Sequence, residues 1–249
     1  MSDGMFDSYS RYYDRLYRDK DYRGETDAIV RRLKRRGITQ GNLLEFGSGT
    51  GKHGRLLAAA GYQVHGIERN ADMAALAAQG NGFTCEPGDI RTTRVGRCFD
   101  AVLSLFHVIS YQTTNADLHA VFARAAEHLA PGGLFLFDCW YSPAVYAQRP
   151  SVRVKRMADE DVEIVRLAEP VIHANENRVD VRYTLFATDR ASGAIQTLQV
   201  THPMRHFSLP ELDLLAQAHG FTRIDAGELL TGDEPSESTW GVCVTLKRI

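Results

Sequence analysis

Short apolar runs alternate with helix-spaced apolar residues along the chain from residue 41 to residue 138. The runs predict five strands, at residues 42–46, 62–67, 83–85, 99–105 and 134–138. Between them, apolar side chains recur at the spacing of one helix face, as they do from Leu118 to Leu129 before Pro131-Gly132-Gly133. Strands and helices in regular alternation are typical of a parallel sheet covered by helices. The pattern therefore predicts an α/β fold.

The pattern changes between residues 152 and 207, where apolar and polar residues alternate. Residues 179–185 follow a period of two, which is typical of a half-buried antiparallel strand. Residues 162–167 and 195–201 are its expected partners. We therefore predict an antiparallel β layer that is inserted after the fifth strand of the parallel sheet.

A helix and two closing strands are predicted after this insertion. Ser208 and Glu211 have the spacing of a capping box, which predicts a helix from this point to His219. The apolar runs at 221–224 and 240–246 then predict two strands that complete the sheet. The chain thus returns to the α/β core after the insertion.

The amino-terminal segment is rich in tyrosine and precedes a helix that is predicted to end near Arg36. Its tyrosines are Tyr9, Tyr12, Tyr13, Tyr17 and Tyr22. These side chains either pack along one amphipathic helix or form a lid over a ligand. We divide the chain into a helical lid at 1–40, an α/β core at 41–150, the antiparallel insertion at 151–207, and the last helix with the closing strands at 208–249.

The composition indicates what the chain is not expected to bind. Of its 249 residues, 44% are hydrophobic and 24% are charged, which fits one α/β domain with an insertion. A net charge of −2 and a pI near 6.5 provide no overall attraction to nucleic acid or to an anionic membrane, so a small-molecule partner is expected. Without a Cys-x-x-Cys pair or an apolar run of roughly 18 residues, we expect no metal site and a cytoplasmic protein.

A glycine-rich loop, Glu45-Phe46-Gly47-Ser48-Gly49-Thr50-Gly51, follows the first predicted strand. Glycines at this place let the backbone turn tightly and approach a nucleotide or nucleoside. Residues 49–54 also satisfy the Gly-x-Gly-x-x-Gly fingerprint of dinucleotide sites, and Glu68 follows at the distance of a ribose-binding acid. The loop alone therefore fits either NAD or S-adenosylmethionine (SAM).

The charges near the loop favour SAM over NAD. A dinucleotide places its pyrophosphate at this turn, whereas SAM has no phosphate and carries a sulfonium and an ammonium. Glu45 would repel the pyrophosphate and attract the cations. Glu68 suits the two ribose hydroxyls, and Asp89 suits the adenine amino group with Ile90 beside the ring. Because these acids follow successive strands, they are expected at one edge of the sheet.

Four ordered motifs resemble those of the class I SAM-dependent methyltransferases. They are the glycine loop, Gly66-Ile67-Glu68, Gly88-Asp89-Ile90 and Leu129-Ala130-Pro131-Gly132-Gly133. The resemblance implies a Rossmann-like class I methyltransferase sheet and an enzyme that converts SAM to S-adenosylhomocysteine. The alternatives are a SAM-binding protein without catalysis and, further removed, a nicotinamide-dependent oxidoreductase.

The resemblance and the charge argument together predict the residues of the cofactor site. They are Tyr13, Tyr22, Glu45, Gly47, Ser48, Gly49, His53, Glu68, Arg69, Met73, Asp89, Ile90, Leu105 and Phe106. Gly47, Gly49 and His53 are expected near the methionine part of SAM, with Tyr13 and Tyr22 in the lid. Methyl transfer is an in-line displacement, so such an enzyme must align the acceptor, exclude water and, where needed, remove a proton.

The acceptor side resembles the nucleotide-sugar N-methyltransferases, which dimethylate amino sugars attached to dTDP. The matching segments include Lys20-Asp21-Tyr22, residues 105–111, Trp140-Tyr141-Ser142-Pro143 and the insertion that ends at 205–207. The resemblance implies that Trp140 and Tyr141 stack on a base or sugar and that Arg205 faces a diphosphate. The exposed edge of the inserted sheet is a candidate homodimer surface.

The chain departs from those enzymes after the fourth strand. Tyr111 stands where they carry a histidine, and His107 lies four residues earlier. His107 and Tyr111 are the candidate catalytic residues, and His206 is a further histidine on the acceptor side. Because the family histidine is replaced, the residues leave open whether the acceptor is an amine, a sugar hydroxyl or another small metabolite.

Overall fold

A computed structural model describes residue 12, residues 15–77 and residues 80–249. The strands are β1 (Gly41–Phe46), β2 (Tyr62–Glu68), β3 (Phe83–Pro87), β4 (Phe99–Ser104), β5 (Leu129–Tyr141), β6 (Arg153–Ala158), β7 (Val162–His173), β8 (Arg178–Asp189), β9 (Ile195–Phe207), β10 (Phe221–Glu228) and β11 (Gly241–Arg248). The α-helices are α1 (Tyr22–Arg35), α2 (Lys52–Ala59), α3 (Ala71–Leu76), α4 (Asn115–Glu127), α5 (Ser142–Gln148) and α6 (Leu209–Ala218). The predicted lid residue Tyr13 lies outside the described residues.

Seven strands form the core sheet in the order β3-β2-β1-β4-β5-β11-β10. The neighbours from β3 to β5 are parallel, and β11 runs antiparallel to both β5 and β10. Because β1 lies beside β4, the strand order reverses between them. Ligands of open α/β sheets bind at such a reversal, beyond the carboxyl ends of the strands. The glycine loop begins at this point.

Two apolar clusters cover the two faces of the core sheet. One contains Phe46, Phe122 and Phe135 with residues of α4 and α6. The other contains Leu33 of α1 and Leu57 of α2 with strand residues on the opposite face. Helices therefore pack on both faces of the sheet, which explains why its central strands are almost continuously apolar. Among the described helices, none is long and apolar enough to cross a lipid bilayer.

The inserted layer is the antiparallel sheet β6-β7-β8-β9. The last residues of β9 also pair in parallel with the end of β5, with His206 opposite Trp140 and Phe207 opposite Tyr141. This pairing joins the layer to the core sheet at the carboxyl end of β5. The layer thus stands above the edge at which β1 and β4 diverge.

Three elements differ from their predicted form. The fourth helix ends at Glu127, because Leu129 pairs with Phe99 and belongs to β5. The insertion has a further strand, β6, whose mostly exposed residues show little of the apolar alternation that marks its neighbours. Helix α5 was not predicted, since its seven residues are too short to display a helical period.

Candidate active site

The glycine loop turns sharply between β1 and α2. Gly47, Gly49 and Gly51 have φ values of 72°, 55° and 76°, in the left-handed region that favours glycine. A Cβ atom on Gly47 would also lie 2.7 Å from Cγ2 of Val108, in the turn after β4. Glycine is therefore required at position 47 both by the backbone conformation and by the packing of the two loops.

Glu68, at the end of β2, is bound to the glycine loop. Its Oε2 accepts a hydrogen bond of 2.8 Å from the Gly49 N–H, and its Oε1 accepts one of 2.9 Å from the Asn70 N–H. Burial raises the pKa of Glu68 above its ordinary value, although these backbone donors oppose the shift. Each carboxylate oxygen keeps a second lone pair. Glu68 is therefore suited to accept hydrogen bonds from two ribose hydroxyls.

Glu45 is buried under the loop and is only 1% exposed. Burial raises its pKa to about 7, and the nearby charge of Glu68 adds to this while His53 opposes it. This edge of the sheet therefore carries two acids, Glu45 and Glu68, whose ionised forms are poorly solvated. A cationic ligand would stabilise both, whereas a pyrophosphate would not.

The remaining predicted cofactor residues lie around the same edge. Asp89, after β3, binds the Arg91 guanidinium at 2.6 Å, and this hydrogen bond lowers the pKa of Asp89. The Met73 methyl group would be 3.5 Å from a Cβ on Gly49. The other members also adjoin this edge: Ser48 is in the loop, Arg69 follows Glu68, and Ile90 and Leu105 are buried beneath. The structure thus brings together the predicted residues that it describes.

The start of α1 is tied to the first turn of α2 by a buried network. His53 Nε2 lies 2.9 Å from Glu25 Oε2, and Lys20 forms an ion pair with the same carboxylate. The Tyr22 ring packs 5.0 Å from the His53 ring, and Lys20 lies 4.0 Å from the Phe106 ring centre. Burial alone would raise the pKa of Glu25, but the bonds from His53 and Lys20 lower it overall. The amino-terminal segment therefore contacts both the cofactor loop and the turn after β4.

The turn after β4 holds His107 against Asp138 at the end of β5. His107 Nδ1 lies 2.6 Å from Asp138 Oδ2, and the His107 backbone N–H donates to the same oxygen at 3.1 Å. Asp138 is buried, which raises its pKa, but the charge and hydrogen bonds of His107 outweigh this and lower the pKa overall. The His107 side chain remains 26% exposed. This arrangement fixes the imidazole while leaving it accessible to a ligand.

Phe106 and His107 have φ values of 64° and 62°. Two successive non-glycine residues in the left-handed region are unusual, and each costs about 1–3 kcal/mol. The hydrogen bond to Asp138 and the bond from the Ser110 N–H to the His107 carbonyl hold this conformation. Strain of this kind is typical of functional sites, where it aims a side chain.

Tyr111 binds the inserted layer. Its hydroxyl lies 2.7 Å from His202 Nδ1 on β9, and the His202 ring packs 5.1 Å from the Tyr183 ring on β8. Although 38% of Tyr111 is exposed, desolvation of its hydroxyl end raises its pKa well above the ordinary value. Burial lowers the pKa of His202 to about 4, so this histidine is neutral near pH 7.

The predicted acceptor residues separate into two groups. Trp140 packs 6.5 Å from the His107 ring and 5.3 Å from the Trp240 ring, so it lines the same space as His107. Tyr141 points to the opposite face of β5 and packs on the core there. The Arg205 guanidinium binds Glu211 at 2.6 Å and Asn115 at 2.8 Å. His206 is fully buried, with Nδ1 2.8 Å from Ser142 Oγ.

Several residues of the site were not singled out from the sequence. Asp138 and His202 belong to segments, residues 138–141 and 202–206, in which the sequence places a candidate base, and Glu25 is only a residue of the predicted first helix. An aspartate that ends an apolar run is a signal for Asp138. The pairings of Glu25 with His53 and of His202 with Tyr111 join residues 28 and 91 positions apart, which no local pattern indicates.

Comparisons with known proteins agree with this fold. Residues 43–133 match the family model described as a methyltransferase domain. The chain is 31% identical over 180 residues to dTDP-3-amino-3,4,6-trideoxy-alpha-D-glucopyranose N,N-dimethyltransferase of Streptomyces venezuelae, covering 72% of this chain and 75% of that protein. The chain therefore belongs to the class I SAM-dependent methyltransferases.

More particular likenesses are found within this class. The chain is 30% identical to dTDP-4-amino-2,3,4,6-tetradeoxy-D-glucose N,N-dimethyltransferase of Saccharopolyspora spinosa, with 70% of each chain covered. The crystal structure of DesVI from Streptomyces venezuelae superposes with a TM-score of 0.79 at 25% identity over 98% of both chains. SAM-bound CalS10 from Micromonospora echinaspora, an amino pentose methyltransferase, gives 0.77 at 25% identity over 96% of both chains. The predicted fold class, the enzyme class and SAM as the cofactor are thereby confirmed.

Proposed function

We propose that this enzyme transfers methyl groups from SAM to an amino group of a nucleotide-linked sugar. The observation that carries the proposal is the His107–Asp138 pair, which lies between the cofactor loop and the wall formed by Trp140 and Trp240. The relatives that are named dTDP-amino sugar dimethyltransferases support the acceptor class.

The chemistry requires a nitrogen lone pair, and an amino sugar near neutral pH arrives largely as an ammonium ion. His107 accepts its proton, and Asp138 stabilises the imidazolium that results. SAM supplies the methyl group: the nitrogen forms a bond to it while the carbon–sulfur bond breaks and its electron pair stays on sulfur. The Trp140 and Trp240 rings hold the sugar in line and exclude water from the reacting atoms.

The cofactor contacts are proposed as follows. Glu68 accepts hydrogen bonds from the ribose hydroxyls, Asp89 accepts one from the adenine amino group, and Gly47 and Gly49 adjoin the methionine part. Tyr22 covers the site and is held in place through His53 and the Glu25 network. The hydrogen bond from Gly49 to Glu68 supports the ribose role, and the position of Asp89 directly after β3, at the same edge of the sheet, supports the adenine role.

Methylation of a sugar hydroxyl is a second candidate, favoured by one observation. Tyr111 occupies the position of the family histidine and is bound to His202. The His107–Asp138 pair suits this reaction, because a hydroxyl acceptor must lose its proton to a base as the methyl group is transferred.

The acceptor class is tested by methyl transfer from SAM to a panel of compounds. The panel contains dTDP-amino sugars, dTDP sugars with hydroxyls alone, and free amino sugars, with products identified by mass. We expect dTDP-amino sugars to gain one or two methyl groups, and His107→Ala to lower kcat by roughly 10²–10⁴-fold. The exposed His119 provides the control variant His119→Ala.

The outcomes separate the candidate functions. Methylation of the amine-free sugars alone would replace the amine by a hydroxyl acceptor. Tight SAM binding without turnover on any compound would contradict the proposal and favour a non-catalytic role. An unchanged kcat in His107→Ala, with transfer intact, would remove His107 from the mechanism. The cytoplasmic location and a dimer at the outer edge of the inserted layer stay predictions from the sequence.

A further inference from the structure

The inner face of the inserted layer is apolar apart from a small polar group at its centre. Its buried apolar residues are Ile164, Val179, Val181, Leu185, Ala187, Val200 and Met204. The polar group consists of Arg166, Tyr183 and His202, which lie on three adjacent strands of this layer. Polar residues interrupt a buried face at a cost unless they bind something there.

Arg166 is the member of this group that the protein does not satisfy. Its Nε and Nη1 atoms are buried without a hydrogen-bond partner, and no carboxylate of the described residues forms an ion pair with it. The guanidinium packs on two aromatic rings. Its central carbon lies 4.8 Å from the Tyr183 ring centre and 5.9 Å from the Tyr17 ring centre. A partly buried cation whose donors lack partners is expected to have an anionic partner in the complex.

Other arginines near the site form ion pairs within the protein. Arg205 binds Glu211 and Asn115, and Arg178 binds Glu176 and Asp180. Their guanidinium groups connect parts of the fold. Arg166 therefore differs from them in having two buried donors available for a ligand.

Short contacts link Arg166 to the reacting centre. Tyr17, beside the guanidinium, packs 5.0 Å from the Phe106 ring, and Phe106 packs 5.8 Å from the His107 ring. On the other side, Tyr183 adjoins His202, which binds Tyr111. Arg166 thus lies in the wall of the acceptor pocket opposite the core sheet.

We propose that Arg166 binds a phosphate-type anion of the acceptor, with its Nε and Nη1 donors directed to the phosphate oxygens. The inference rests on the proposed nucleotide-linked acceptor and assigns the diphosphate to Arg166 on β7 instead of Arg205 on β9. The guanidinium charge attracts a phosphate group, and its unpartnered N–H donors form charge-assisted hydrogen bonds to phosphate oxygens.

The test is calorimetric titration of dTDP into the protein saturated with S-adenosylhomocysteine. Arg166→Gln should weaken dTDP binding by roughly ten- to a hundredfold, because charge-assisted hydrogen bonds are lost. Arg166→Lys keeps the charge but lacks the guanidinium donors. Its affinity for dTDP should lie between those of the wild type and Arg166→Gln. Arg182→Gln on β8 is the matched control, since Arg182 is exposed and does not adjoin the polar group.

SAM affinity, measured for every variant, should stay unchanged and shows that the site is folded. Inorganic pyrophosphate and a free amino sugar form two further arms. Pyrophosphate binding that depends on Arg166 supports an anion site, whereas dTDP binding of wild-type strength in Arg166→Gln overturns the inference. Failure of wild-type protein to bind dTDP or pyrophosphate also overturns it. The titration measures binding without turnover. Loss of the proposed anion site is therefore distinguishable from the absence of methyl transfer to the acceptor panel.

Discussion

Glu45, in the glycine loop, is an acid whose burial costs the SAM-free fold stability. Its carboxyl group is fully enclosed, and its Oε2 atom has no hydrogen-bond partner within the described part of the chain. An apolar or amide side chain would suit this surrounding better in the absence of a ligand. The conflict is resolved if a cation binds at the adjacent loop, as the sulfonium and ammonium of SAM provide.

This conflict predicts a pH-dependent stability. Glu45 has a pKa of about 7 when folded against an ordinary value of 4.5, so between these values the unfolded chain releases a proton that the folded protein keeps. Its contribution therefore falls as the pH rises from about 4.5 to 7, by up to about 3 kcal/mol. Glu45→Gln should lack this part of the pH dependence in urea unfolding of the SAM-free protein.

The control for Glu45→Gln is Asp27→Asn, which removes an exposed acid from α1. Its pH profile should parallel that of the wild type. If the free energy of unfolding of Glu45→Gln ran parallel to the wild type from pH 5 to 8, the raised pKa of Glu45 would be contradicted.

At the scale of elements, the inserted layer and the core meet where β9 returns to α6. Arg205 on β9 bonds Glu211 on α6 and Asn115 at the start of α4, so one side chain joins three elements. Ser208 between them caps α6 by accepting a bond from the Glu211 N–H, as its spacing predicted. The acceptor wall is thereby positioned against the helices of the core.

We predict that Arg205→Gln acts mainly on stability. Loss of bonds to a partly exposed carboxylate and an amide should lower the free energy of unfolding by about 1–3 kcal/mol. Urea unfolding checks this, with Arg182→Gln expected to change it by no more than about 0.5 kcal/mol. Unchanged stability together with weakened dTDP binding would instead support the diphosphate role that the sequence predicted for Arg205.

At the scale of the whole molecule, the site is assembled from parts that are distant along the chain. The glycine loop, the turn after β4, the end of β5, the start of α1 and the inserted layer all contribute. A ligand that contacts several of these parts stabilises the folded molecule as a unit. Its effect on unfolding therefore reports whether the cofactor assignment is correct.

SAM at one hundred times its Kd should add about 2.7 kcal/mol to the free energy of unfolding. For a chain of 249 residues, this corresponds to a rise of about 5–10 °C in the unfolding midpoint. NAD at the same concentration should leave the midpoint unchanged, because its pyrophosphate meets Glu45. A scanning calorimeter measures both, and stabilisation by NAD alone would contradict the cofactor assignment.

The sequence by itself determined the parallel core, the order of its strands along the chain and the edge at which the acids of the glycine loop and the following strands meet. Strand and helix periods are local, and acids after successive strands must meet at one edge once the sheet is parallel. The helix boundary at Leu129 was missed because its strand partner, Phe99, lies far along the chain, and β6 was missed because its mostly exposed residues show little apolar alternation.

The tertiary structure alone decided which side chains act together. His107 follows β4 and Asp138 lies on the adjacent strand β5, and their contact depends on an unusual left-handed turn that periodicity does not reveal. Arg166 and Arg205 are both basic residues in strands, and only packing shows that Arg205 is bound to Glu211 while two buried donors of Arg166 have no hydrogen-bond partner. Burial and partners are set by the folded molecule, which is why these side-chain pairings required the structure.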